Sequence, residues 1–185
     1  MSIFLKIYIV ILLSLPGIAF SQWTAVYSSE VDNLDYPKAI AVDQFGFTYV
    51  AGTSFSAGME ANYLLIKFNQ AGDTLWTRQY DGNISGQDEV KSVVIDNESN
   101  IIITGRSESI TGYDVVTIKY SSSGSQLWGV RYNGLGSGSN DVFAVATDDS
   151  LNVYVSGKIQ VSTSISAFAT LKYDKNGALK MGETI

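Results

Sequence analysis

The chain contains neither cysteine nor histidine. Without cysteine it has no disulfide, no thiolate nucleophile and no cysteine-borne lipid anchor. Without histidine it has no Ser-His-Asp relay, no imidazole base and no imidazole metal ligand. Positive charge is in deficit: 12 basic residues against 18 acidic ones give a net charge of −6. A negative total offers no electrostatic reason to bind nucleic acid or an anionic membrane surface. Only one stretch is long and apolar, and it lies at the N-terminus. The rest is globular in composition, with 45% hydrophobic and 12% aromatic residues, and 185 residues suit one domain.

The N-terminal stretch, residues 1–21, reads as an export signal. Lys6 is its single charge, Ile7 to Leu15 are apolar apart from Ser14, and Pro16-Gly17 break the run. Ala19 and Ser21 place small residues at −3 and −1 of a cut before Gln22. The uninterrupted apolar run is short for a membrane span of about 20 residues. Cleavage leaves residues 22–185, with 11 basic and 18 acidic side chains and a net charge of −7. The expected location is secreted, periplasmic or at the cell surface. An exported chain without cysteine must be stable by packing alone.

Those 164 residues repeat themselves. At steps of 52 or 53 residues, Asp43 recurs as Asp96 and Asp148, and Gly52 as Gly105 and Gly157. In the same register Lys67 recurs as Lys119 and Lys172, and Gly72 as Gly124 and Gly177. Trp76 recurs as Trp128 and then as Met181, and Tyr80 as Tyr132. Trp23 and Tyr27 start the series upstream, so residues 23–29 look like the outer strand of a unit whose front is absent.

Each unit holds four short strand candidates. They are 39–43, 47–52, 63–68 and 74–80 in the first, with counterparts beginning at 93 and 143 in the next two. β-Branched and aromatic residues dominate them, and turn residues separate them. The second and third strands are apolar at consecutive positions, which predicts burial on both faces, as in sheets stacked on one another. Four strands per unit, a period near 50 and no helical periodicity indicate an all-β fold of β-propeller blades. The blades are expected over 35–80, 88–132 and 140–185.

The run GYDVVTIKYSSSGSQLWGVRYNGLGSGSNDVFAVATD, residues 112–148, resembles the SBBP-type β-propeller repeat. The resemblance extends over nearly all of residues 23–185. It implies a propeller, typically seven-bladed, in exported bacterial proteins, and carries no catalytic residues. Asn100 is followed by Ile instead of a Val/Tyr pair, and Met181 stands where tryptophan is expected. Propellers close with typically about four to eight blades. Three blades and a leading strand therefore predict a partial propeller, an open arc that belongs with further blades or associates with itself.

A residue present in every copy serves the blade; one that varies is free to serve a ligand. Asp43, Asp96 and Asp148 end the first strands and are expected to accept turn N–H bonds. Asp96 to Asn100 has oxygens at alternate positions, but Ile101 to Ile103 follow where a Ca²⁺ loop needs Gly and later Glu, so no metal is assigned. Gly72, Gly124 and Gly177 belong in hairpins, with Trp76 and Trp128 as wedges, buried against the next blade. The recurring lysines are expected to cover apolar surface with their stems while the amine reaches water. Asp35, Asp88 and Asn140 align before the first strands, followed by Tyr36, Glu89 and Asp141. Asp35, Asp88, Glu89, Asn140 and Asp141 are candidates for an acidic and amide ring at the channel mouth, suited to a cation, a sugar or a basic peptide. As plain strand caps they would look the same. The loops 54–62, 107–114 and 160–167 differ in every copy, as binding loops on a scaffold do.

The expected function is a binding or adhesion module for an extracellular protein or glycan, without cofactor or catalysis. One alternative is a glycosidase or lyase that uses Asp88 with Glu89 or Asp141, chemistry that needs neither histidine nor cysteine. Another is a purely structural surface repeat.

Overall fold

The computed structural model describes residues 22–29, 35–56, 60–84, 86–134, 138–162 and 164–180. The signal segment 1–21, Met181 and the end of the last expected strand lie outside the described residues. Among the described residues, twelve strands form three four-stranded antiparallel sheets in simple sequential order. Blade 1 is β1 (Tyr36–Val42), β2 (Thr48–Phe55), β3 (Ala61–Phe68) and β4 (Thr74–Tyr80). Blade 2 is β5 (Asp88–Ile95), β6 (Ile101–Ser109), β7 (Gly112–Tyr120) and β8 (Gln126–Tyr132). Blade 3 is β9 (Asp141–Thr147), β10 (Val153–Gln160), β11 (Ser166–Tyr173) and β12 (Leu179–Lys180). The sheets do not close into a ring. β1 lies against β5 and β5 against β9, so the first strands converge toward the inside of the arc.

The first strands begin earlier than their apolar runs suggest, at Tyr36, Asp88 and Asp141. Their early residues are polar, and each strand carries a bulge: between Pro37 and Ala39, between Val90 and Ser92, and opposite Ser156-Gly157. The bulges explain Gly52, Gly105 and Gly157. A Cβ at any of them would strike the carbonyl of Tyr36, Glu89 or Asp141 across the ladder, so the close approach requires glycine.

The turns after the first strands share one construction. Asp43, Asp96 and Asp148 donate their N–H to the carbonyls of Phe47, Asn100 and Asn152, at 3.0, 3.0 and 3.2 Å. Their Oδ1 atoms accept two further backbone N–H groups, from residues 45 and 47, 98 and 100, and 150 and 152. The left-handed position is Gly46 in blade 1, Ser99 in blade 2 and Leu151 in blade 3. The turns into the fourth strands repeat as well, with Gly72, Gly124 and Gly177 at φ of 88°, 85° and 84°.

Two junctions join the blades. Tyr49, Ala51, Tyr63 and Leu65 of blade 1 pack on Val90, Ile101, Ile103, Val116, Ile118 and Tyr120 of blade 2. Ile102 and Val115 of blade 2 pack on Val142, Val153, Val155, Ile159, Leu171 and Tyr173 of blade 3. Each blade thus has a leading face and a trailing face, and both faces of β3 and β7 are covered. β3 is buried at every position, and β7 from Asp114 onward.

Tryptophans cross each junction at the outer edge. An added Cβ on Gly72, Gly124 or Gly177 would lie 2.7, 3.1 or 2.9 Å from ring atoms of Trp23, Trp76 or Trp128. Trp76 Nε1 donates to the Ser122 carbonyl at 3.3 Å, and Trp128 Nε1 to that of Lys175 at 2.9 Å. The wedge role expected of these residues holds, but the side chains are half-buried rather than buried, because a flat ring over a glycine turn keeps one side toward water. Residues 22–29 form no strand. They nevertheless set Trp23 over Gly72 and pack Ala25 and Tyr27 on Leu64, Ile66 and Phe68, the place an outer strand of a preceding blade would take.

Candidate functional site

The residues expected to ring the channel mouth mostly point inward. Asp88 is 0% exposed; its Oδ2 accepts the Gly82 N–H at 2.5 Å and its Oδ1 that of Glu108 at 3.2 Å. Burial raises its pKa, against the opposing bonds from Ser107, Gly82 and Glu108. Asn140, its counterpart, is also 0% exposed. Its amide donates to the carbonyls of Tyr113 and Asn133 at 3.1 and 3.0 Å and accepts the Gln160 N–H at 2.9 Å. Asp35 accepts the Ser29 N–H at 2.7 Å through Oδ2. All three therefore clamp the segment that enters their blade. Their place at the start of β-strands, where the incoming chain must be tied down, explains why the open acidic ring does not form.

Glu89 and Asp141 are half-buried. Glu89 pairs with Lys91 at 2.8 Å and Arg106 at 2.6 Å. Burial opposes its ionisation, but these two bonds outweigh that and its pKa is lowered. Arg106 also lies 4.4 Å from the centroid of Tyr113, a contact between charge and ring face. Asp141 Oδ1 accepts the N–H of Val142 at 2.9 Å.

The two ends of the arc differ in kind. At one end lie the aspartate turns, backed by the recurring lysines. In blade 2 Lys119 is 2% exposed and bonds Asp96 Oδ2 at 2.7 Å. Burial opposes the Asp96 charge, but the bonds from Lys119 and Asn100 lower its pKa. In blades 1 and 3 a tyrosine intervenes. Tyr49 and Tyr154 donate to Asp43 and Asp148 at 3.2 and 2.9 Å, and Lys67 and Lys172 lie 5.2 and 5.1 Å from the ring centroids. Neither Lys67 nor Lys119 reaches water as the sequence suggested: Lys67 is 7% exposed and donates to the Ser122 carbonyl of the next blade at 2.9 Å, and Lys119, with Ile102 in place of the tyrosine, meets the aspartate directly. The common period of the lysines and aspartates, 52 or 53 residues, is the sequence signal that they pair.

At the other end lie the hairpins β2–β3, β6–β7 and β10–β11, beside the starts of the first strands, since Tyr36 faces Thr53, Asp88 faces Ser107 and Asp141 faces Lys158. These hairpins differ. β6–β7 turns through Ile110-Thr111 alone, while β2–β3 and β10–β11 need five residues each. Ile110 is 92% exposed and Ile165 60%. Among the described residues no cluster of three or more acidic side chains is placed to hold a metal ion.

Residues 29–57 match the family model of the SBBP β-propeller repeat. No curated protein matches the chain. Among solved structures, one described as the crystal structure of the eukaryotic initiation factor superposes with a TM-score of 0.52 at 7% identity. The match covers 85% of this chain and 34% of that one, so the chain spans about a third of its length. At that identity the likeness is one of fold.

Proposed function

We propose that this chain is an exported β-propeller scaffold that binds an extracellular protein or glycan through the arc end carrying the β2–β3, β6–β7 and β10–β11 hairpins. The observation that carries this reading is the contrast between the ends. Three turns at one end keep the same hydrogen bonds through sequence changes. The three hairpins at the other differ in sequence, one is two residues long against five in the others, and they expose Ile110 and Ile165. Uniform turns serve the scaffold, whereas divergent loops on a rigid frame are where recognition resides. Apolar tips beside the Glu89, Arg106 and Tyr113 group would supply the anchor and the polar rim of a binding patch. Catalysis is not part of the proposal: Asp88 is committed to backbone N–H groups and Glu89 to two cations.

Glycan and peptide arrays probed with the full chain test the reading. The expected outcome is a specific binder whose affinity falls at least about tenfold, roughly 1.4 kcal/mol, on Ile110→Asp or Ile165→Asp. Gln44→Ala, at the uniform end, should leave it unchanged. Absence of any binder would favour the purely structural repeat. Export is checked by sequencing the N-terminus of protein recovered outside the cell, where Gln22 is expected.

A further inference from the structure

Two faces of the arc have no blade against them. On the leading face of blade 1, Ile40 is 66% and Val42 61% exposed. Between residues 23–27 and this face runs a groove of about 370 Å³, lined by Pro37, Ile40, Val50, Gly52 and Leu64. Asp35 also borders it, with a buried Oδ1 that has no hydrogen-bond partner. On the trailing face of blade 3, Phe168 is 74% exposed, and Phe143 on β9 is 65% exposed.

We propose that the two faces fit each other: blade 3 of one copy docks head to tail on blade 1 of a second copy. The two junctions already inside the chain show how such faces meet. By the repeat register, Phe168 occupies the position of Tyr63 and Val115. Both are at most 1% exposed, because each plugs the leading face of the next blade. Ile40, Val42, Val50 and Leu64 occupy the positions of Val93, Ile95, Ile103 and Val116, the surface that receives blade 1 on blade 2. A receiving surface and a plug of one repeat type are thus both present; Phe168 is open, as are Ile40 and Val42, while Leu64 lies under residues 22–29 as its counterpart Val116 lies under blade 1. Charge agrees: the trailing strand β10 carries Lys158, while the groove carries Asp35.

The outer edge fits as well. Residues 22–29 already stand over blade 1 as β4 stands over blade 2, through Trp23 on Gly72. Head-to-tail contacts build rings when the rotation closes. Two copies supply six blades, within the typical range of about four to eight.

Sedimentation velocity on the full chain tests this, with Ile40→Asp and Phe168→Asp as variants. Both side chains are exposed, so each variant should keep the wild-type circular dichroism. The wild type should form a species of twice the monomer mass with rising concentration. Each variant alone should stay monomeric, since every junction would contain one spoiled face. Their equimolar mixture should regain a 1:1 complex, because the intact trailing face of Ile40→Asp meets the intact leading face of Phe168→Asp. A wild type that stays monomeric across the micromolar range would overturn the proposal. So would a variant that associates like the wild type, or a mixture that remains monomeric; the former would mark a contact between like faces.

Discussion

Blades 2 and 3 are built from the same repeat and differ most where their surroundings differ. β7 is buried from Asp114 to Tyr120, while β11 alternates between exposed and covered positions. The trailing face of blade 2 offers Ile102, Thr104 and Val115; the same positions in blade 3 are Tyr154, Ser156 and Phe168. Even the polar residues reflect this. Thr104 and Thr117 satisfy each other at 2.9 Å inside the junction, as buried hydroxyls must. A neighbour makes a face into a core, and the alternation of β11 marks a face with no blade against it among the described residues.

The largest test of this contrast is the buried ion pair. Lys119→Met strands the Asp96 carboxylate in the interior and should cost about 3–5 kcal/mol in chemical denaturation. Lys172→Met, at the same repeat position on the open face, should leave the midpoint nearly unchanged. Equal losses would mean that the open face is covered.

Next come the wedges. Trp76→Ala opens a gap over Gly124 and removes the bond to Ser122. Since the ring is only half-buried, the expected loss is about 2–3 kcal/mol, below that of a fully buried tryptophan. Trp23→Ala should cost less, because segment 22–29 has no sheet of its own behind it.

A smaller effect of opposite sign is expected in the turns. Leu151 holds φ 64° where blade 1 has Gly46. Leu151→Gly should stabilise the protein by about 0.5–1 kcal/mol by removing the strain of a left-handed leucine. Failure to stabilise would show that the Leu151 side chain contributes more by its contacts than its backbone costs.

The smallest concerns pH. Asp88 has a raised folded pKa, so between its unfolded and folded values the native state holds more protons and stability falls as pH rises. Asp88→Asn copies Asn140 of blade 3 and should remove that decline, keeping an acceptor for the Glu108 N–H but giving up the one for Gly82. Denaturation midpoints of the two proteins, followed upward from pH 4, give the comparison.

The blades were legible in the sequence because packing repeats with the chain: the spaced Asp, Gly and Trp positions each do one job three times. The first-strand starts were not, since polar residues such as Asp88 and Lys91 break the apolar pattern around a bulge. Asp35, Asp88 and Asn140 read as solvent-facing because their partners, Ser29, Gly82 and Asn133, lie six or seven residues upstream in linkers without periodicity. The lysine–aspartate pairing was hidden for a related reason. It joins first and third strands, and only blade 2, with Ile102 in place of tyrosine, closes it directly.

The central claim is that blade 2 is held on both faces while blade 3 is held on one. Native-state hydrogen exchange, resolved by strand at concentrations where the chain is monomeric, tests it most directly. Amides of β6 and β7 should exchange slowest, and those of β10 and β11 clearly faster, with the gap narrowing as concentration rises and the open faces meet. Protection of β10 and β11 equal to that of β6 and β7 in the dilute monomer would contradict the account.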